Sequence, residues 1–552
     1  MLGESEKNMS SKPRALVSVT DKTGIIELCG KLVLMGYEIV STGGTALTLR
    51  SNGIAVTEVS EITNIPEMLD GRVKTLNNLV FGGILAKRDG SHDSDIAKYD
   101  IPLFEIVIVN LYPFESVISA RDVKVIEAIE NIDIGGVSLL RASAKNYQYV
   151  WSVSSIIQYD RLITGLGFKQ DGNTLKAVEM RKQFAMETFK LISHYDRIIA
   201  NYLALSATDK KNDNGCGMPD NLYMEFEKIQ EMRYGENSHQ IAAMYKPINI
   251  GGVIHYAKNG IINAVQHQGK ELSYNNIVDA DSALQCANFI ANQFAGYAVC
   301  VIVKHNNPCG VALAASYEEA YRKAFKTDPT SAFGGIIAFA HSYANIDALV
   351  NSDIAKYIID NQFAEVIIGP GFTRGALDVF AKKPNIRILS ISGGIKSSYD
   401  IKSISGGGIL YQTSDNIVTT PDMLNVKSQK QPTNEEQIQM IFAWCVAKYV
   451  KSNAIIFVKD NMTIGIGAGQ MSRIDSTRLA IMKAKNAGLD VAGCVVASDA
   501  FFPFRDGVDA IYDVGATCII QPGGSIKDKE VIQAADEHNG VMVFTGIRHF
   551  RH

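Results

Sequence analysis

The stretch Ala15-Leu16-Val17-Ser18-Val19-Thr20-Asp21-Lys22-Thr23-Gly24 decides how the first part of the chain reads. Ala15 to Val19 is apolar apart from one serine, the pattern of a buried strand. Thr20 to Gly24 is a cluster of turn formers. Ile25 to Met35 then has helical spacing. Tyr37 to Val40 reads as a second strand, and Ser41-Thr42-Gly43-Gly44-Thr45 leads into another helix. Ile106 to Val109 is a third apolar strand. Strands that alternate with helices imply a mostly parallel, doubly wound α/β sheet. A helix from about Arg181 to Leu205 closes this region.

The polar run Thr208-Asp209-Lys210-Lys211-Asn212-Asp213-Asn214-Gly215 breaks the rhythm and reads as a linker. The boundaries that follow are a polar, disordered leader over 1–13, a first domain over 14–207, a linker over 208–222 and a second domain over 223–552. The second domain starts with strands near Ala243. Further strands fall at Ile336 to Ala340, Val366 to Ile368, Ile455 to Val458 and Val541 to Phe544. It is large enough for two similar subdomains, although no repeat is visible by eye.

With 552 residues and 46% hydrophobic content, the chain is long enough for several domains and large cores. A net charge of −4 argues against a nucleic-acid binder. No run approaches the roughly 18 apolar residues that span a membrane. The expected place is the cytoplasm. The cysteines Cys29, Cys216, Cys286, Cys300, Cys309, Cys445, Cys494 and Cys518 form no CxxC pair and read as reduced thiols. Pro308-Cys309 lacks the second cysteine of a zinc-deaminase signature, because residue 312 is Ala, so no metal is expected.

Two groups of residues carry chemistry. Val299 to Val303 is an apolar strand that ends in Lys304-His305, and Asn307-Pro308-Cys309-Gly310 is expected to force a turn. A base and a cation at a strand end suit acyl transfer to a weakly nucleophilic nitrogen. In the first domain, Thr20-Asp21-Lys22 and Thr42-Gly43-Gly44-Thr45 follow strands and offer hydroxyls and backbone N–H groups to a phosphate. Arg72-Val73-Lys74-Thr75, Asn110-Leu111-Tyr112, Asp133-Ile134 and Lys145 add cations, a phenol and a carboxylate, and are expected to join that pocket. Near the C-terminus, Gly465-Ile466-Gly467-Ala468-Gly469-Gln470 departs from the dinucleotide fingerprint at residue 470.

In order along the chain, these segments resemble the family of bifunctional purine biosynthesis proteins. That family joins a 5-aminoimidazole-4-carboxamide ribonucleotide (AICAR) formyltransferase to an IMP cyclohydrolase. The resemblance runs from about Ala15 to His552. It implies a methylglyoxal-synthase-like doubly wound sheet, then a cytidine-deaminase-like α/β formyltransferase region of two subdomains. Lys304 and His305 would be catalytic for formyl transfer, and Lys145 would donate and accept the proton of cyclisation. Thr20, Asp21, Lys22, Thr42, Gly43, Gly44, Thr45, Arg72, Val73, Lys74, Thr75, Asn110, Leu111, Tyr112, Asp133 and Ile134 would hold the nucleotide of the cyclohydrolase. Arg233, Tyr234, His305, Gly334, Glu365, Asn453 and Arg473 would bind AICAR. Ile474, Asp506, Ser525, Ile526 and Arg548 would bind 10-formyltetrahydrofolate, the co-substrate.

The resemblance implies a homodimer acting on AICAR, the formylated intermediate (FAICAR) and IMP, with no nucleic acid and no membrane as partner. One departure stands out. Where the family continues Arg-Val-Lys-Thr with Leu-His-Pro and a second histidine, this chain has Leu76-Asn77-Asn78 and then Phe81. A formyltransferase whose first domain only binds nucleotide is therefore the alternative reading. A purine-nucleotide sensor is a third, disfavoured because a sensor needs no formyl donor.

Overall fold

The computed structural model describes residues 12–69, 72–120, 123–170, 172–207, 218, 221–248, 260–342, 349–391 and 399–552. Most of the expected leader and linker, together with Gly71 and Cys216, lies outside the described residues. The chain divides into two compact units, one reaching to Met224 and the other starting at Glu225.

In the first unit, β1 (Arg14–Val19), β2 (Glu38–Ser41), β3 (Thr57–Glu58), β4 (Phe104–Asn110) and β5 (Trp151–Val153) form a sheet in the order β3-β2-β1-β4-β5. Every neighbouring pair is parallel. The order reverses between β1 and β4, and such a switch point opens a crevice at the strand ends. Parallel strands covered on both faces must be apolar throughout. Ala15, Val17 and Val19 face one core, and Leu16 faces the other. The closing helix, Thr174–Ala207, is longer than its apolar spacing suggested.

The second unit opens with a hairpin of β6 (Phe226–Met232) and β7 (Ala242–Pro247); only β7 was read from the sequence, because β6 is mostly polar and exposed. Next come β8 (Val265–Gln268), β9 (Ala298–Lys304), β10 (Asn307–Ala314), β11 (Gly335–His341), β12 (Ala364–Gly369) and β13 (Arg387–Ser390). A separate hairpin pairs β14 (Tyr399–Ser403) with β15 (Ile409–Thr413). The chain ends with β16 (Asn425–Val426), β17 (Ile455–Lys459), β18 (Met462–Gly467), β19 (Val495–Ser498), β20 (Cys518–Gln521) and β21 (Val541–Phe544).

One twelve-stranded sheet runs β16-β21-β20-β19-β17-β18-β10-β9-β11-β12-β13-β8. It is a duplication. In one half β9 pairs antiparallel with β10 and β11, then β11-β12-β13 are parallel. In the other half β17 pairs antiparallel with β18 and β19, then β19-β20-β21 are parallel. The halves meet where β10 and β18 pair antiparallel at Ala312 and Met462. A helix with a reciprocal capping box precedes each half, Ser273 with Asn276 for Tyr274–Gln293 and Thr433 with Glu436 for Asn434–Ala447.

The duplication also appears in residues. Lys304-His305-Asn306 and Lys459-Asp460-Asn461 occupy equivalent turns, with φ of 53° and 60° in the first and 54° and 59° in the second. Gly310 and Gly465 let a strand backbone approach a helix: an added Cβ would lie 2.0 Å from the carbonyl oxygen of Ala324 and 2.5 Å from that of Ala480. So Gly310 belongs to a strand. The expected turn over Asn307 to Gly310 is instead the two-residue turn His305–Asn306, and Pro308 is accommodated at a register shift between Pro308 and Gly310. Alternation explains why β9 is apolar up to Lys304. Cys300 and Ile302 enter one core, while Val299, Val301 and Val303 enter the other.

Candidate active sites

In the first unit the switch point is tied together by Asn110 at the end of β4. Its Oδ1 accepts from the N–H groups of Thr20 (2.5 Å) and Asp21 (3.0 Å), and its Nδ2 donates to Asp21 O (2.7 Å). The hydroxyl of Thr45 accepts from Val19 N–H and donates to Val19 O. The polar capacity of Asn110 and Thr45 is thus spent on fixing the loop that carries Thr20, Asp21 and Lys22. Gly43 starts the next helix with φ of 53°, and a Cβ there would meet the Lys74 ammonium at 3.2 Å.

Sequence reasoning missed Glu67. It accepts from Thr42 at 2.8 Å and pairs with Lys74 at 3.4 Å. Arg72 pairs with Glu130, and Val73 forms an isolated bridge with Met68. Thr75 is buried beside Gly135. Asp133 sits at the start of the helix Gly135–Lys145 and accepts from Gly136 N–H at 2.7 Å, and its own N–H donates to Tyr195. Burial raises its pKa, opposed by backbone N–H groups of Gly136 and Tyr112. Tyr112 and Ile134 are exposed. This group, from Thr20 to Asp133, comes together at the strand ends.

Lys145 lies further along the helix whose start follows Asp133. It ends the eleven-residue helix Gly135–Lys145, which at a rise of about 1.5 Å per residue puts it about 15 Å from Gly135. It lines a cavity of about 580 Å³ with Phe81, Leu85, Arg141, Tyr147, Lys182 and Phe189. Phe81 is one of the two positions where histidine was expected, so that departure falls beside Lys145. The other, Asn77, caps the helix Asn78–Leu85 by accepting from Leu79 N–H at 2.8 Å, a role that asparagine fills well.

In the second unit, the residues named from the sequence, apart from Arg233 and Tyr234 on the separate β6–β7 hairpin, gather along one rim of the twelve-stranded sheet. The pairings Val303 with Ile336, Gly335 with Ala364, and Ile455 with both Gly467 and Ser498 put four groups on that edge. They are the His305 turn, Phe333–Gly334 with Glu365, Lys451–Asn453 with Arg473, and the loops that follow β19, β20 and β21. Lys304 Nζ donates to Phe333 O at 2.5 Å, and Gly334 N–H donates to Phe363 O at 2.7 Å. Asn307 Oδ1 accepts from Lys451 N–H at 2.9 Å, which joins the two halves. Glu365 is paired with Arg387 at 2.9 Å. Arg233 is exposed and lies over the Tyr234 ring, and Asn275 donates to Glu236 O at 3.2 Å to tie that loop to the helix Tyr274–Gln293.

Arg473 is held on every side. Its Nε donates to Ser498 Oγ (3.1 Å), one terminal nitrogen to Asn453 Oδ1 (2.7 Å) and the other to Asp499 Oδ1 (2.8 Å). Asp499 is fully buried and also accepts from Ser452. Burial lowers the Arg473 pKa, and the Asp499 carboxylate opposes that shift. Partial burial, with Arg551 and Lys402 nearby, also lowers the pKa of Lys451. Burial pushes the Cys309 thiol up to about 12, which leaves it protonated and inert.

Asp506, the first residue of the helix Asp506–Asp513, is exposed, as are Ile526 and Arg548, and Ser525 is half-buried, on the segments beyond β19 to β21. From β20 to β9 is five strand steps in the sheet order, or about 24 Å at about 4.8 Å per step. His305 and Ser525 are thus well separated along the rim, whereas Gly334, Asn453 and Arg473 stand closer to His305.

The sequence matches the AICARFT/IMPCHase bienzyme family over residues 143–483 and the MGS-like domain family over residues 24–138. It is 49% identical over 543 residues to the bifunctional purine biosynthesis protein PurH of Polynucleobacter asymbioticus, covering 98% of this chain and 99% of that protein. The protein of the same name from Polynucleobacter necessarius subsp. necessarius is 48% identical over 541 residues, with 98% and 99% covered. The crystal structure of ForH aligns with 36% of this chain and 100% of its own at 31% identity, with a TM-score of 0.31.

Proposed function

The chain belongs to the AICARFT/IMPCHase family of bifunctional purine biosynthesis enzymes, and we propose how its residues divide the two reactions. The twelve-stranded unit transfers the formyl group of 10-formyltetrahydrofolate to the 5-amino group of AICAR. The five-stranded unit closes FAICAR to IMP with loss of water. What supports this division most is the rim itself. Lys304, His305, Gly334, Glu365, Asn453 and Arg473, spread over 170 positions of sequence, stand along one sheet edge.

The AICAR amine is delocalised into its ring and attacks poorly. His305, exposed on its turn, takes the proton as nitrogen bonds to the formyl carbon. Lys304 stabilises the tetrahedral oxyanion or protonates the folate nitrogen as the old C–N bond breaks. Its ammonium spends one hydrogen on Phe333 O and keeps two donors for the substrate. Ring closure needs orientation above all, because its two reacting groups are already tethered. Asn110 and Asp133 fix the loops that orient the nucleotide.

The proposed assembly is a cytoplasmic homodimer. The seven described cysteines are free and buried, a state that a reducing compartment maintains. The spread between His305 and the folate-side residues suits a formyltransferase site completed by a second subunit. No helix among the described residues is long and apolar enough to cross a membrane.

Cyclisation is tested by giving the purified protein FAICAR alone. IMP is expected to form faster than in an enzyme-free control, with Asn77 and Phe81 in place. A rate equal to the control would leave the first unit as a nucleotide-binding domain only.

A further inference from the structure

We propose that Asp279 is the positioning residue of the His305 turn; the proposal rests on the reading of His305 as the base. Asp279 lies in the second turn of the helix Tyr274–Gln293, three residues beyond the capping residue Asn276. One carboxylate oxygen accepts from His305 N–H at 3.2 Å, and the other accepts from Asn306 N–H at 2.7 Å. Both of these residues have φ in the left-handed region, at 53° and 60°. Residues other than glycine, asparagine, aspartate and histidine seldom adopt it.

The duplicated half supplies an internal control. Its turn, Asp460–Asn461, has nearly the same backbone angles, 54° and 59°. Yet among the described residues no side chain accepts from the N–H of Asp460 or Asn461. Counted from the matching helix caps, Gln439 stands where Asp279 does, and its amide donates to Glu435 at 3.4 Å. A two-residue turn of this kind therefore forms without a clamp. The clamp is present only on the turn that carries the histidine. Its two bonds hold both N–H groups of that turn against one helix, which fixes the backbone from which the exposed imidazole reaches. Asp279 touches no reacting atom in this account and acts through His305.

The test compares Asp279→Ala and Asp279→Asn with the full-length parent. Hydrogen exchange is read on the peptide spanning His305 and Asn306, with formyl-transfer kcat, KM for AICAR and FAICAR cyclisation measured alongside. In Asp279→Ala, exchange is expected to rise about tenfold or more. Formyl-transfer kcat should fall by about tenfold to a hundredfold, the scale of a small misplacement of a reacting group. KM and cyclisation should stay near parental values. Asp279→Asn keeps one acceptor oxygen and should fall between parent and alanine.

Unchanged exchange, or fast exchange with kcat unchanged, would overturn the proposal. A fall in cyclisation equal to the fall in formyl transfer would overturn it too, since that reports general unfolding. His305→Asn separates the two levels. Full formyl transfer in that variant sinks the reading of His305 itself, whereas the exchange result on Asp279→Ala is independent of what His305 does.

Discussion

Replacing His305 with asparagine is expected to lower formyl transfer by about two to four powers of ten, the usual contribution of a positioned general base. Asparagine suits this position on physical grounds. It tolerates left-handed backbone better than most residues, so the turn at φ of 53° should survive. It retains hydrogen-bonding groups but cannot hold a proton near neutral pH. The Asp279 clamp engages only the backbone N–H, so it persists in the variant. Cyclisation of supplied FAICAR should continue at the parental rate, because those residues lie in the other unit. Equal loss of both activities in a folded variant would count against the assignment.

The second large effect is on stability. Asp499→Ala removes the carboxylate that holds Arg473 and Ser452 and leaves the guanidinium buried without its counter-charge. Arg473 has only 11% of its side chain exposed and Asp499 none. Breaking such a pair from one side typically costs about 3–5 kcal/mol, most of it the cost of the orphaned charge. The loss should appear in denaturant unfolding of the second unit. It should be accompanied by lost formyl transfer, because Arg473 also holds the Asn453 side chain at 2.7 Å. Asp499→Asn keeps acceptor oxygen for Arg473 and should lose less. A change below about 1 kcal/mol in Asp499→Ala would place this pair with ordinary exposed ion pairs and contradict the account.

Much of the fold was legible because burial on both faces leaves a simple trace. The runs Ala15 to Val19, Ile106 to Val109 and Val299 to Val303 have little polarity to interrupt them, and each lies within a central strand. The duplication was not legible, since little sequence survives in both halves beyond Lys-x-Asn at the turns and a glycine four residues later. Geometry preserves that glycine, because any side chain would strike a helix carbonyl. Pro308 misled for a related reason. Proline and glycine usually mark turns, yet here a shift in register lets both lie in a strand.

The candidate sites were read through residues that carry chemistry, so their supports went unseen. Glu67 carries no signal in Ile65-Pro66-Glu67, and only proximity to Thr42 and Lys74 gives it meaning. Asp279 follows a capping motif and reads as a solvated helix charge until the His305 turn is placed against it. Asp499 stands beside the aromatic run Phe501-Phe502-Pro503-Phe504, but its burial beneath Arg473 comes from pairing across β17 and β19. Lys145 is placed by the far end of the helix Gly135–Lys145, where it lines a cavity with Phe81.

The most direct test of the whole account supplies purified protein with AICAR and 10-formyltetrahydrofolate and separates the products by chromatography. The account predicts IMP, with FAICAR passing through as an intermediate, at a rate above an enzyme-free control given FAICAR. Consumption of neither substrate by folded protein would contradict it.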